Sequence, residues 1–286
     1  MPPIYAHRTA LKQALGIASS ATNRNAELDT VAEAVSRLFD ERVGFSFGPS
    51  SQTRDYTAKE TTRLYLDTPL LALDALRTSS DNGSSFDTTL ATTQYWLTPY
   101  NASMEGPRRP YWGLELRSSA TGFLPTNSRR GVRLVGTWGY YDERSTSPAT
   151  PATTLTSNAA TALEWNNVTA LHVGQTIILG GERMRVTRSP GSSTGAITST
   201  IDVLRAQDGT SGATHSSATG VEYYTYPIVD RLALQQAQFD WRAQDAPLGF
   251  TGGGLEGANQ RPVVSAGLHP FVQRRLDSAF RTPRVG

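Results

Sequence analysis

The sequence predicts an α+β fold in which a discontinuous host body is interrupted by a compact antiparallel β domain. Three observations carry this. The run Gly131-Val132-Arg133-Leu134-Val135-Gly136-Thr137-Trp138-Gly139-Tyr140-Tyr141 reads as a strand ending in an aromatic and glycine turn. A helical pattern begins far downstream at Tyr226-Pro227-Ile228-Val229-Asp230, with Pro at the expected helix start. A short loop would join such a strand to such a helix equally well, so the segment between them reads as inserted. Its entry is residues 145–161, where nine of 17 residues are Ser or Thr and two are Pro. That composition suits an extended linker with little apolar surface to drive collapse. The expected division is 1–148 plus 227–286 for the host body and C-terminal arm, and 149–226 for the inserted β domain.

In the host, residues 9–15 read as a short helix with Leu11 and Leu15 on one face and Gly16 ending it. Leu28, Val31, Val35, Leu38 and Phe39 form an apolar stripe over residues 27–43. Glu27 and Asp29 near its start and Arg42 near its end complement the helix dipole. Residues 61–66 read as a strand that Asp67-Thr68-Pro69 ends, because proline cannot donate to a central ladder. Residues 70–76 fit a strand or a helical turn. Asp81-Asn82-Gly83-Ser84 is a turn, followed by strands at Gln94-Tyr95-Trp96-Leu97 and at residues 111–116.

The insert supplies Thr176-Ile177-Ile178-Leu179, a Gly180-Gly181 turn, and Glu182-Arg183-Met184-Arg185-Val186-Thr187. Met184 and Val186 alternate with Arg183, Arg185 and Thr187, the pattern of a half-exposed strand. Residues 201–205 and 221–226 add two more strands. Beyond it, residues 228–246 read as a helix with Ile228, Leu232, Phe239 and Ala243 on its apolar face. Residues 248–257 contain five glycines and read as a mobile connection, and residues 262–281 end in a short helix.

Composition narrows the chemistry. The chain has 286 residues and a formal net charge of only +2, which does not specify nucleic-acid binding. It has no cysteine, which excludes disulfides, thiolate catalysis and cysteine-held metals. The start lacks the basic and apolar pattern of a secretory signal, and no apolar run approaches membrane-spanning length, so no membrane insertion is expected. Asp40-Glu41 and Asp142-Glu143 are sequence neighbours, which does not make them convergent acids. His7, His172, His215 and His269 are dispersed and open no His-Glu-x-x-His motif. The glycine run at 249–254 lacks the Lys-Ser or Lys-Thr of a phosphate loop. Neither an enzyme nor a cofactor is expected.

Taken with Tyr95-Trp96-Leu97-Thr98-Pro99, Tyr111-Trp112-Gly113-Leu114-Glu115-Leu116 and the acidic-start helix at 27–43, the aromatic and glycine strand and the Pro227-Ile228-Val229 helix resemble the head-to-tail connector adaptors of long-tailed bacteriophages. The insert is similar to a recurrent phage β segment through Leu171-His172-Val173-Gly174-Gln175-Thr176-Ile177, through residues 181–187, and through Val203-Leu204-Arg205-Ala206-Gln207-Asp208-Gly209-Thr210.

The resemblance implies a mainly helical connector-adaptor body with a small β element. It also implies a virion protein of the head-tail neck, assembled in the bacterial host cytoplasm. Such a protein docks beneath the portal as a ring of identical subunits, usually a dodecamer, and extends the DNA channel. It offers a platform to a stopper or other tail-proximal connector, and double-stranded DNA passes through without sequence recognition. The expected portal or subunit interface comprises Trp138, Tyr140, Tyr141, Arg261, Phe271, Arg274, Arg275, Leu276, Phe280, Arg281 and Arg284. Weak channel contacts to DNA phosphate are expected from Arg108, Arg109, Arg129 and Arg130. Two alternatives remain: a stopper or tail-completion protein, and a carbohydrate-binding tail accessory using Tyr223, Tyr224 and Tyr226 as an aromatic surface.

Overall fold

A computed structural model describes residues 3–102, 109–189, 198–245 and 267–280. It overturns the expected mainly helical body. The described residues form thirteen strands in two antiparallel sheets and four α-helices, and 25% of them are helical and 32% in strands. The physical reason is that long polar or mixed runs of the host pair as strands. Their backbone groups bond across a ladder, so they need no apolar periodicity of their own.

The chain divides into two compact units. One comprises Met1–Val43, Thr146–Arg205 and Gly212–Arg281, and the other Gly44–Ser145 with Ala206–Ser211. Tyr141 belongs to the second and Pro227 to the first.

The second unit is built on a six-stranded sheet. Its strands are β1 (Ser50–Tyr56), β2 (Arg63–Thr78), β3 (Thr88–Leu90), β4 (Tyr95–Thr98), β5 (Tyr111–Leu116) and β6 (Val132–Trp138), in the order β1-β6-β2-β5-β4 with β3 also on β2. Pro69 does not end a strand as expected. It lies inside the 16-residue β2, where pairing passes from β5 to β6 and the register shifts between Tyr65 and Leu70. A missing N–H costs little at such a handover, and the Pro69 carbonyl still accepts from Gly139 N at 3.0 Å. Val132, Leu134 and Trp138 of β6 alternate into the core with Leu64, Leu70, Leu76 and Leu114. Gly139 follows at φ 146°, and a Cβ there would lie 2.5 Å from the Gly48 carbonyl oxygen, so the close approach requires glycine.

The first unit packs helices α1 (Arg8–Leu15), α2 (Asn25–Val43), α3 (Pro227–Asp245) and α4 (Pro270–Ala279) with a seven-stranded sheet. The strands are β7 (Arg144–Ser147), β8 (Thr150–Pro151), β9 (Ala162–Asn166), β10 (Thr176–Leu179), β11 (Glu182–Arg188), β12 (Ser199–Leu204) and β13 (Val221–Tyr224), in the order β7-β13-β10-β11-β12-β9-β8. The Ser/Thr/Pro stretch is therefore ordered where a linker was expected. It contributes β8, which pairs with β9, and a bridge between Leu155 and His215, while Ala149 and Leu155 are buried.

Gly16 caps α1 at φ 70°, and its N–H donates to Gln13 O. On α2, Leu28, Val31, Ala32, Val35, Ser36 and Phe39 are buried, with Leu38 half-buried. Arg24 donates to Glu27 at 2.8 Å and stacks over Trp241 of α3 at 4.1 Å.

Strand β11 is not half-exposed. Met184 and Val186 face the apolar core with Trp165, Ile177 and Val203, while Arg183 and Arg185 are buried as well. Arg185 lies close enough to Asp40 of α2 to favour that carboxylate, and Tyr5 donates to Asp40 at 2.6 Å. At the head of β11, buried Glu182 accepts two bonds from Arg205 (2.7 and 2.6 Å), one from Ala213 N (3.0 Å), and contacts His215 Nε2 at 2.8 Å. It thereby fixes the chain on both sides of residues 206–211.

Two predictions follow from these buried charges. Glu182→Ala leaves Arg205 without its carboxylate and is expected to cost about 3–5 kcal/mol. Urea unfolding measures this, with amide exchange expected to accelerate across residues 205–215.

Burial pushes the Asp230 carboxyl up to about 7, while its Oδ2 accepts from Tyr226 N at 3.0 Å. Between about pH 4 and pH 7 the folded state holds a proton that the unfolded state releases, so this group lowers stability as pH rises through that window. Desolvation of His7 and His172, to about 3 and about 4, acts in the opposite sense, making the unfolded state the better proton binder below about pH 6.5. The stability of Asp230→Asn relative to the natural chain should therefore climb from pH 4 to pH 7 and level off above. A pH series of denaturant unfolding curves checks this; a difference that is flat with pH counts against it.

Candidate docking surface

Helix α4 has two unlike faces. His269 caps its start by accepting from Phe271 N, and Pro270 occupies the first turn. Val272, Leu276 and Phe280 are buried, while Phe271, Arg274 and Arg275 are exposed. The helix is anchored further by the bidentate pair of Arg42 on α2 with Asp277, at 2.9 and 2.6 Å. Gln236 of α3 accepts from His269 N at 2.8 Å.

Helix α3 buries Val229, Leu232, Ala233, Gln236, Ala237 and Trp241, leaving Ile228 50% exposed. Ile228 was expected on the buried face. The apolar stripe runs through Val229 instead, one position round the helix. Exposed Ile228 and exposed Phe271, the latter 43% accessible, line one open groove of about 400 Å³ between α3 and α4. Pro227, Leu232 and Ala279 complete its apolar lining, and Arg231 and Arg275 its charged lining. Arg275 sits over the Phe271 ring at 5.6 Å.

The structure sorts the expected interface residues into different environments. Phe271, Arg274 and Arg275 are on the outer face of α4, whereas Leu276 and Phe280 anchor it from inside. Trp138 is 2% exposed; its Nε1 donates to Gln52 O at 3.1 Å and Arg54 stacks over its ring at 4.8 Å. Tyr141 is buried and Tyr140 half-buried in an aromatic cluster with Phe45 and Phe47, and burial raises the Tyr140 hydroxyl's pKa. These three aromatics hold the second unit together. Arg261, Arg281 and Arg284 lie outside the described residues.

Of the expected DNA contacts, Arg108 also lies outside the described residues. Arg109 and Arg129 are exposed, and Arg130, though exposed, pairs with Asp55 at 2.6 Å. Asp55 also takes Arg133, whose hydrogen bond is the largest cause of its lowered pKa. Tyr224 and Tyr226 are buried and Tyr223 half-buried, so these tyrosines do not form an open aromatic surface. Arg231 and Ile228 were missed in the sequence because helical spacing alone placed Ile228 inside. Among the described residues no group of three His, Asp or Glu side chains stands where it could hold a metal ion, and no helix is long and apolar enough to cross a membrane. No family model, curated protein or solved structure matches the chain.

The two faces of α4 should separate in mutational tests. Phe271→Ala is expected to change unfolding free energy by less than about 1 kcal/mol. Leu276→Ala, at a fully buried position, should cost about 2–5 kcal/mol. Equal losses in urea unfolding would show that Phe271 is a core residue.

Proposed function

We propose that this chain is a structural head-to-tail adaptor of a long-tailed bacteriophage. It docks beneath the portal as a ring of identical subunits, continues the DNA channel and offers a platform to the stopper or tail. One observation supports this reading above the others: the part of the chain that the resemblance assigns to portal contact carries an exposed apolar groove with arginines on its lining. Exposed apolar residues that share a groove are a feature of interaction sites, whereas isolated ones are ordinary surface. The reading needs no helical body; it needs a firmly held outer face, and α4 has the buried anchors for one.

Passage of DNA asks only for weak phosphate contacts, and Arg109 and Arg129 are exposed arginines of the expected set. Firm contacts would oppose movement of the duplex. The buried tyrosines of β13 and its continuation take away the surface on which the carbohydrate-binding alternative stood.

Co-expression of the chain with the portal protein of the same phage tests the proposal by native mass spectrometry. The expected product is a portal ring carrying one copy of this chain per subunit, and Phe271→Asp should reduce occupancy while leaving the circular dichroism spectrum unchanged. A portal ring that stays bare at micromolar concentrations, while the chain binds only a tail-proximal partner, would move the chain to the stopper level.

A further inference from the structure

The groove between α3 and α4 has a chemical polarity that narrows its occupant. Leu232, Ile228 and Phe271 give it an apolar trough, and among the described residues the charged ones that line it are Arg231 and Arg275. The acids beside them in sequence are engaged elsewhere. Asp230 turns back to accept from Tyr226 N, and Asp277 is held by both Arg42 contacts. The groove is therefore electropositive as well as apolar. Gln235, which also lines it, has a buried amide oxygen with no hydrogen-bond partner among the described residues.

We infer that this groove binds an acidic amphipathic peptide segment of a partner protein. One large apolar side chain of the segment fills the trough between Ile228 and Phe271. Carboxylates on either side of it meet Arg231 and Arg275. The guanidinium of Arg275, already stacked on Phe271, is preorganised for a planar carboxylate. Duplex DNA offers the anionic charge but no protruding apolar group for the trough, so a peptide fits the observations better. The inference rests on the adaptor reading only for the identity of the partner, which that reading makes the portal or a tail-proximal connector.

Fluorescence anisotropy with the full chain provides the test. The probes are two labelled synthetic helical peptides with the same leucine positions, one flanked by Glu and one by Lys, and a labelled DNA duplex of matched length. The Glu peptide should bind roughly tenfold more tightly than the Lys peptide at about 0.1 M salt. The combined change Arg231→Glu and Arg275→Glu, at two exposed positions, should abolish that preference, and Phe271→Ser should weaken binding of the Glu peptide. Circular dichroism confirms that each variant is folded.

Equal affinity for both peptides overturns the inference, as does a preference that survives the double reversal. Tighter binding of the duplex than of the Glu peptide overturns it in favour of nucleic acid. Self-association lost on Phe271→Ser, with no peptide bound, overturns it in favour of a second copy of the chain. Portal binding is scored separately. Portal association without an acidic preference keeps the adaptor reading and removes this inference, and an acidic preference without portal association does the reverse.

Discussion

Burial of β11 on both faces is the constraint on which the first unit depends. Its Met184 side belongs to an apolar core, and its opposite side holds Arg183 and the fully buried Arg185. A guanidinium removed from water needs a compensating charge or hydrogen bonds. Arg185 is near enough to Asp40 on α2 to favour that carboxylate, and the Arg183 guanidinium lies 5.7 Å from the Tyr224 ring. Separating α2 from the sheet would leave the buried Arg185 without the nearby Asp40 carboxylate. Helix α3 packs on α2, and α4 is tied to α2 through Asp277, so the geometry of the outer groove is set from the sheet outward.

The second unit depends on a backbone constraint instead. One strand, β2, passes from β5 to β6 along its length, and it can do so because its register breaks at Tyr65 to Leu70 and again before Ala72 and Ala75. Gly136 on β6 sits at this irregular stretch, where a Cβ would approach the Ala72 carbonyl oxygen to 2.3 Å. A side chain at that point would force the central pair of strands apart. Trp138 then closes the core two residues later, which explains why the aromatic and glycine run looks so distinctive in sequence while its tryptophan has no outward role.

Legibility followed the range of the interaction that decides each element. Helices α1 and α2 were readable from an apolar stripe and a terminal glycine, because these are local signals. Strands β10 and β11 were readable from alternation and the turn between them. Strand β1, Ser-Ser-Gln-Thr-Arg-Asp-Tyr, carries almost no apolar pattern; it exists because every residue from Ser50 to Tyr56 finds a partner on β6. Pro69 misled because its effect depends on which carbonyls and amides the neighbouring strands require at that point. The outward assignment of Arg183 and Arg185 failed for a similar reason, since charge predicts exposure only where no buried partner exists. In the candidate site, Phe271, Arg274, Arg275, Leu276 and Phe280 were expected together at one interface, and the division of α4 into anchor and outer face was not legible. It depends on α2 and α3, which lie far away in sequence.

The size of the groove bears on how it must work. At about 400 Å³ it accepts a side chain or two, near the lower end of the roughly 300–1,000 Å³ usual for ligand pockets. Two solvent-exposed arginines add roughly 0–1 kcal/mol each to such a contact. A single copy of the site is accordingly weak, whatever segment fills it. In the proposed ring, closed symmetry would change the outcome without changing the contact, because after one groove is filled the remaining ones would meet their segments at a high effective concentration, provided the spacings match. The anchoring of α4 by Val272, Leu276 and the Arg42–Asp277 pair would hold each groove in place for such matching. A firmly anchored helix and a weak outer groove would thus be complementary properties of the proposed assembly.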